Sequence, residues 1–119
     1  MQRGKRAEGY FGEQKAAEYL KQNGYRIVER NFYSRYGEID IIAREENYLV
    51  FVEVKYRTNT SHGSPQEAVS QSKQQTICRV ANYYCLKHGI SEDTACRFDV
   101  VAILGEQVTL LRNAFEYQC

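Results

Sequence analysis

The amino-acid sequence predicts an α/β domain, a mixed central sheet flanked by helices, with its elements in the order α-β-β-β-α-β-β. Three observations carry this. Two stretches place their stripes at helical spacing: Tyr10, Glu13, Ala17 and Leu20 in one, Ile77, Val80, Ala81 and Tyr84 in the other. Two short apolar runs, Gly37 to Ala43 and Tyr48 to Lys55, stand a few polar residues apart, as a hairpin does. A second pair of strand-like runs follows the second helix. The chain has 119 residues, which suits one domain, 1–119, around a single core.

The first helix is predicted from about Ala7 to Asn23, with Gly24 as its left-handed stop. Glu13 is the odd member of its stripe, a carboxylate on the face that should meet the core. Either it pairs with an arginine or snorkels to water, or it has a chemical role. Tyr25 to Arg30 has strand composition. Asn31 to Tyr36 reads as a polar and aromatic connection, and Gly37 opens the next strand. Thr58 to Ser64 is a polar loop containing a glycine. Ser64-Pro65-Gln66-Glu67 has the form of a capping box with proline at the first helical position, and Ser70 offers a second start. The second helix then runs to about His88, and Gly89 stops it. Ala95 to Leu104 is the fourth strand. Gly105-Glu106-Gln107 turns it into Val108 to Arg112, an edge strand.

Composition excludes several classes. Hydrophobic residues are 43% and charged residues 26%, ordinary values for a water-soluble domain. No apolar run approaches the ~20 residues of a membrane span. The basic start Met1-Gln2-Arg3-Gly4-Lys5-Arg6 has no apolar segment behind it, so no signal peptide is expected and the predicted location is cytoplasmic. The four cysteines, Cys78, Cys85, Cys96 and Cys119, form no CxxC pair. A zinc or redox motif is therefore not expected, and reduced, packed thiols are. Net charge is +1, which does not by itself announce a nucleic-acid binder. Basic residues are scattered around the hairpin, Arg26, Arg30 and Arg35 before it, Lys55, Arg57 and Lys73 after it, a distribution that solvated surface ordinarily shows. They inform only if the fold gathers them on one face. Arg30, Arg35, Arg57 and Lys73 are the candidates for nucleic-acid contact.

The hairpin carries the sharpest signal. Asp40, Glu53 and Lys55 sit inside apolar runs, and burying such charges costs several kcal/mol each unless a partner compensates. Strict alternation puts Glu38, Asp40 and Ile42 on one face, and Ile39, Ile41 and Ala43 on the other. Glu53 and Lys55 share a face with Leu49 and Phe51. A turn centred on Glu46-Asn47 sets Asp40 opposite Glu53, whereas a turn on Glu46 alone throws the two carboxylates onto opposite faces. If they converge, they repel unless a cation lies between them. With no histidine or cysteine near, the donors are oxygens, Val54 carbonyl included, which favours Mg²⁺ or Mn²⁺. Lys55 on the same face suits stabilisation of a phosphoryl transition state.

Asp40 followed by Glu53-Val54-Lys55, a D-x(12)-E-x-K spacing, resembles the PD-(D/E)XK signature of the restriction-endonuclease-like fold. Nearly the whole chain is similar to the bacterial YraN-like family, related to archaeal Holliday-junction resolvases. The similarity lies in Gly9, Gly12-Glu13, Tyr19-Leu20, Arg30-Asn31, Gly37 to Ile42, Val52 to Lys55 with Arg57, Gly63, Pro65, Glu67-Ala68-Val69, Lys73, Arg97 to Val101 and Asn113-Ala114-Phe115. The resemblance implies a restriction-endonuclease-like α-β-β-β-α-β core. It implies metal ligation by Asp40 and Glu53, with Lys55 as the catalytic lysine. By similarity to the resolvases, Glu13 approaches the same metal from the first helix. It also implies a nucleic-acid substrate, branched or structured DNA, cut by a homodimer. Before Asp40 stands Glu38-Ile39 rather than the pair for which the signature is named. Two other readings stay open: a non-catalytic nucleic-acid-binding module on the same fold, and ordinary ion pairs on a half-exposed sheet, which leaves Glu13 without a role.

Overall fold

The computed structural model describes residues 3–57 and 69–117, and of residues 3–11 the backbone. Its elements are α1 (Arg3–Gln22), β1 (Arg26–Ser34), β2 (Gly37–Glu45), β3 (Tyr48–Arg57), α2 (Gln71–Lys87), β4 (Cys96–Leu104) and β5 (Gln107–Phe115). The five strands form one sheet in the order β1-β2-β3-β4-β5. Only β3 and β4 run parallel, because α2 crosses over between them; every other pair is antiparallel. The mixed sheet with a helix on each face is the architecture expected from the element order. Among the described residues no helix is long and apolar enough to cross a membrane.

The two helices divide the core. Ala16, Ala17 and Leu20 of α1 pack on Ile41, Ala43, Val50, Val52, Val101 and Ile103. Ile77, Val80, Ala81 and Tyr84 of α2 pack on Leu49, Phe51, Phe98 and Val100 across the sheet. Phe51 and Phe98 stack at 5.7 Å between centroids, and Tyr84 meets Phe51 edge-on at 5.9 Å. The side chain of Ser70, not Ser64, caps α2, accepting the Lys73 N–H at 3.1 Å. The Ser64 to Glu67 signal and the Thr58 to Ser64 loop lie outside the described residues.

Several strand boundaries differ from the expectation. Asn31 to Ser34 belongs to β1, pairing Phe32 with Ile39, Tyr33 with Glu38 and Ser34 with Gly37. Arg35-Tyr36 alone makes the turn. The bend that read as a loop is absorbed by Asn31 at φ 55, a left-handed conformation that asparagine tolerates. At the other edge, β5 continues past Arg112 to Phe115. Asn113, at φ 54, donates its N–H to Asp99 Oδ1 at 2.9 Å where the β4–β5 register shifts. Phe98 and Phe115 then stack at 5.0 Å.

Strict alternation along β2 also fails. Ile41 and Ala43 face α1, while Ile39 packs with Ile42 on the α2 side. The phase changes at Asp40, beside the left-handed Asn31, in the one step between Arg30↔Ile41 and Phe32↔Ile39 that forms no pair.

A polar network closes the α1 face at the other end of the sheet. Asp99, wholly buried, accepts from Tyr25 Oη at 2.6 Å and from Arg97 Nε and Nη2 at 2.9 Å each. Glu45 is clamped by Arg97 and, through two nitrogens, by Arg112. Arg97 also lies 4.8 Å over the Tyr48 ring and Arg112 5.4 Å over that of Tyr25.

Two measurements check this packing. Gly37 has φ +144, and a Cβ there would stand 2.9 Å from Thr76 Cγ2. Gly37→Ala is expected to cost ~1–3 kcal/mol, partly recovered by Thr76→Ser; an unchanged melting temperature would refute the close approach. The hydrogen bonds of Arg112 and then Arg97 hold the Glu45 carboxyl below its ordinary value. A depressed carboxyl stabilises the fold above the ordinary carboxylate range and loses that contribution as pH falls through its folded value. Melting temperatures followed from neutral pH down to about pH 3 should fall less steeply in Glu45→Gln than in wild type; equal slopes would remove Glu45 from the acid response.

Candidate active site

The site lies where the β2–β3 ladder stops. Antiparallel pairs run from Glu45↔Tyr48, next to the Glu46-Asn47 turn, to Ile41↔Val52. Glu46 turns at φ 52. One step further the same register brings Asp40 beside Glu53, but no backbone pair forms. Instead Asp40 Oδ2 accepts the Val54 N–H at 2.8 Å. The side chain thus lies across the gap between strands, in the plane of the sheet. In an extended strand a residue's N–H and C=O point the same way, so the Val54 carbonyl faces this gap too.

Around the gap stand charges of both signs. Glu53 is 5% exposed and projects toward α2. Lys55 Nζ, from the same strand face, lies 3.6 Å from Glu53 Oε2, and Lys73 Nζ, from the first turn of α2, lies 3.7 Å from the same oxygen. Burial, and then the hydrogen bond and charge of Glu53, push the Asp40 carboxyl well above its ordinary value. Glu38 is raised by burial and then by Asp40, against the pull of Lys73. Glu13 comes from α1 on the opposite face and is raised by burial and then by Asp40, while its hydrogen bond to Asn31 lowers it. Four carboxyls therefore share one electrostatic neighbourhood.

Of the predicted site residues, Asp40, Glu53, Val54 and Lys55 meet at the gap, and Lys73 joins them from α2. Glu13 reaches Asp40 through its field and also stands 4.0 Å from Arg30 Nη2, so the arginine pairing and the site role coexist. Among the described residues no three Asp, Glu, His or Cys side chains gather closely enough to hold a metal ion. Asp40 and Glu53 are the pair that comes together. The expected nucleic-acid contacts disperse. Arg30 bonds Gln14 Oε1 at 2.8 Å and stays with Glu13, and Arg57 caps the end of β3. Arg35 sits at the β1–β2 turn with its guanidinium 5.0 Å from the Tyr36 ring centroid.

Two features were missed in the sequence. Glu38, two residues before Asp40, senses the charge of Asp40 and of Lys73; its place beside Asp40 was the available signal. Tyr36 meets Tyr83 of α2 at 6.0 Å, and Lys87 lies 5.7 Å over Phe32. These residues gather aromatic rings and a cation where the β1–β2 turn meets α2. Only packing of the turn against α2 assembles them.

The model of Uncharacterised protein family UPF0102 matches residues 12–103. A UPF0102 protein of Lachnoclostridium phytofermentans is 53% identical over 112 residues, covering 94% of this chain and 95% of its own length. UPF0102 proteins of Persephonella marina and Legionella pneumophila subsp. pneumophila are 43% and 42% identical over 109 and 114 residues. They cover 92% and 94% of this chain, and 93% and 97% of their own lengths.

The crowding of carboxyls has a measurable cost. With a chelator present, Asp40→Asn keeps an oxygen acceptor for Val54 N–H and removes the charge that faces Glu53. It is expected to raise stability by ~0.5–2 kcal/mol. Asp40→Ala, which orphans that N–H, should lower it by ~1–3 kcal/mol. Chemical denaturation of the two variants decides; equal destabilisation by both would mean that Asp40 is there for structure.

Proposed function

The chain belongs to Uncharacterised protein family UPF0102, and we propose that it is a metal-dependent endonuclease hydrolysing phosphodiester bonds in branched or structured DNA. The core is taken to be restriction-endonuclease-like, with Asp40, Glu53 and Lys55 in the PD-(D/E)XK roles. The observation that supports this best is the meeting of Asp40 and Glu53, with two ammonium groups at 3.6 and 3.7 Å from one Glu53 oxygen, at a break in the ladder. A buried Asp40 carboxyl pushed toward protonation by burial and then by Glu53 is the arrangement that a cation relieves.

The donors fit Mg²⁺ or Mn²⁺: carboxylate oxygens of Asp40 and Glu53 and the Val54 carbonyl, without histidine or thiolate. Glu13, sensing Asp40 from α1, is the further candidate ligand. When bound, such an ion polarises a phosphoryl oxygen and lowers the pKa of water. The chain's own residues do the rest. Asp40 keeps β2 and β3 apart at this level, so a phosphate can approach. Lys55 swings from Glu53 to the scissile phosphate and offsets the charge that develops there. Lys73 does the same from α2. Arg35, Tyr36 and Tyr83 lie along the path of the strand beyond the site, cation and rings for phosphate and base. A two-fold junction is cut by a homodimer, with contact through the β5 edge or α2, and such a protein acts in the cytoplasm.

One observation favours a second reading, a nucleic-acid-binding module without turnover. Glu53 is already met by Lys55 and Lys73, and no third carboxylate closes a ligand set among the described residues. A single series separates the readings. Millimolar Mg²⁺ or Mn²⁺ should stabilise wild type but not Glu53→Gln, by ~2.7 kcal/mol at a hundredfold excess over Kd, read out as a higher melting temperature. Junction and flap DNA should be cut, and Lys55→Ala should lose ~10²–10³ in kcat. Metal-dependent stabilisation with intact DNA leaves the binding module. No metal shift and no DNA retention sink both.

A further inference from the structure

We propose that Cys85 and Cys96 are an oxidisable thiol pair, with Cys96 the attacking sulfur and Cys85 the resolving one, for which a low-molecular-weight disulfide is the substrate. This stands apart from the nuclease reading and lies at the far end of α2. It also departs from the expectation of inert, packed thiols, which Cys78, fully buried in the α2-side cluster, meets.

Topology brings the two sulfurs together. Cys96 opens β4 in register with Leu49 and, by alternation, shares the face of Phe98. Leu49 and Phe98 both belong to the cluster under α2. Cys85, in the last turn of α2, packs down on that cluster from the other side. Both thiols therefore lie on the α2 side at this end of the sheet, near enough to shift each other's acidity, and Cys96 Sγ also contacts Thr94 O at 3.7 Å. The intervening loop is folded tightly enough to hold them so: Ile90 N–H donates to Cys85 O at 2.9 Å, and Ile90 packs on the same cluster.

Their environments differ as an attacker and a resolver should. Cys96 is exposed and Cys85 half-buried. Arg44 pairs with Leu49, whose other neighbour is Cys96, so a guanidinium stands in the same row across the sheet. The hydrogen bond from Cys85 and the charge of Arg44 favour the thiolate of Cys96, and the bond to Cys96 holds Cys85 as the thiol. In the reaction the Cys96 thiolate attacks one sulfur of oxidised glutathione. That S–S bond breaks, and one glutathione leaves and takes up a proton. Cys85 then gives up its proton and attacks the Cys96 sulfur, releasing the second glutathione. Two protein thiols are oxidised to one disulfide, and one glutathione disulfide is reduced to two thiols. An accessible pair of this kind cycles with its thiol buffer, unlike a buried structural bridge.

The test uses the full reduced chain in oxidised glutathione, quenched with acid, alkylated and mapped by peptide mass. The expected product has lost two hydrogens and links the Cys85 and Cys96 peptides, and dithiothreitol reverses it. Cys85→Ser should trap glutathione on Cys96. Cys96→Ser should abolish both the link and any adduct at Cys85, with a melting temperature matching wild type as the fold control. Glutathione stalled on Cys96 of the wild-type chain, a bridge through another cysteine, or equal labelling rates for Cys85 and Cys96 each overturn the proposal.

Discussion

Where the β2–β3 ladder stops, the Val54 N–H needs an acceptor, and Asp40 Oδ2 supplies it at 2.8 Å. Much of the site follows from that bond. A backbone pair at this level would close the two strands and leave the Asp40 side chain above or below the sheet. With the side chain in the sheet plane, the carboxyl senses Glu13 on one face and Glu53 and Lys73 on the other. A single carboxyl in the plane couples helices that lie on opposite sides. An orphaned amide there costs ~1–3 kcal/mol, which is why the arrangement holds without any ligand.

The same device occurs on the other side of the sheet, where Asp99 accepts the Asn113 N–H at the β4–β5 shift. The two aspartates have opposite electrostatic surroundings. Asp99 is ringed by donors, Tyr25 and Arg97, and its network is complete. Asp40 is ringed by other carboxyls, against which the Val54 N–H and then Lys73 pull. A satisfied buried charge rigidifies a fold, whereas a crowded one singles out a candidate site. This contrast, more than the presence of charges in strands, separates the structural end of the sheet from the end that carries the candidate site.

How much of this was legible in the sequence depended on range. Local signals worked: Gly24 and Gly89 end their helices, Glu46-Asn47 sets the hairpin register, and Asp40, Glu53 and Lys55 follow from it. The misjudged boundaries, at Asn31 and Asn113, share one cause. Asparagine enters the left-handed region without the glycine or proline that normally announces a bend, so β1 and β5 looked shorter than they are. The change of face at Asp40 was hidden for the same reason, since alternation assumes an unbroken ladder. Lys73 reaches Glu53 only because Ser70 starts α2 at the right residue. The placing of Cys85 and Cys96 on one side of the sheet and the Tyr36–Tyr83 contact depend on the α2 crossover and leave no mark in either segment alone.

The parallel β3–β4 pair has a consequence for how the chain folds. β1, β2 and β3 join by tight turns and can zip as they leave the ribosome, whereas β4 must wait for α2 to be made and to cross back. Until then one edge of β3 is bare, and that edge runs through Leu49, Val50, Phe51 and Val52, all buried in the finished protein. An apolar open edge is the surface on which nascent chains pair with one another. The central strand that carries Glu53 and Lys55 thus stays open on one edge until the crossover is made, and the window of exposure during synthesis is set by the length of chain between Arg57 and Cys96.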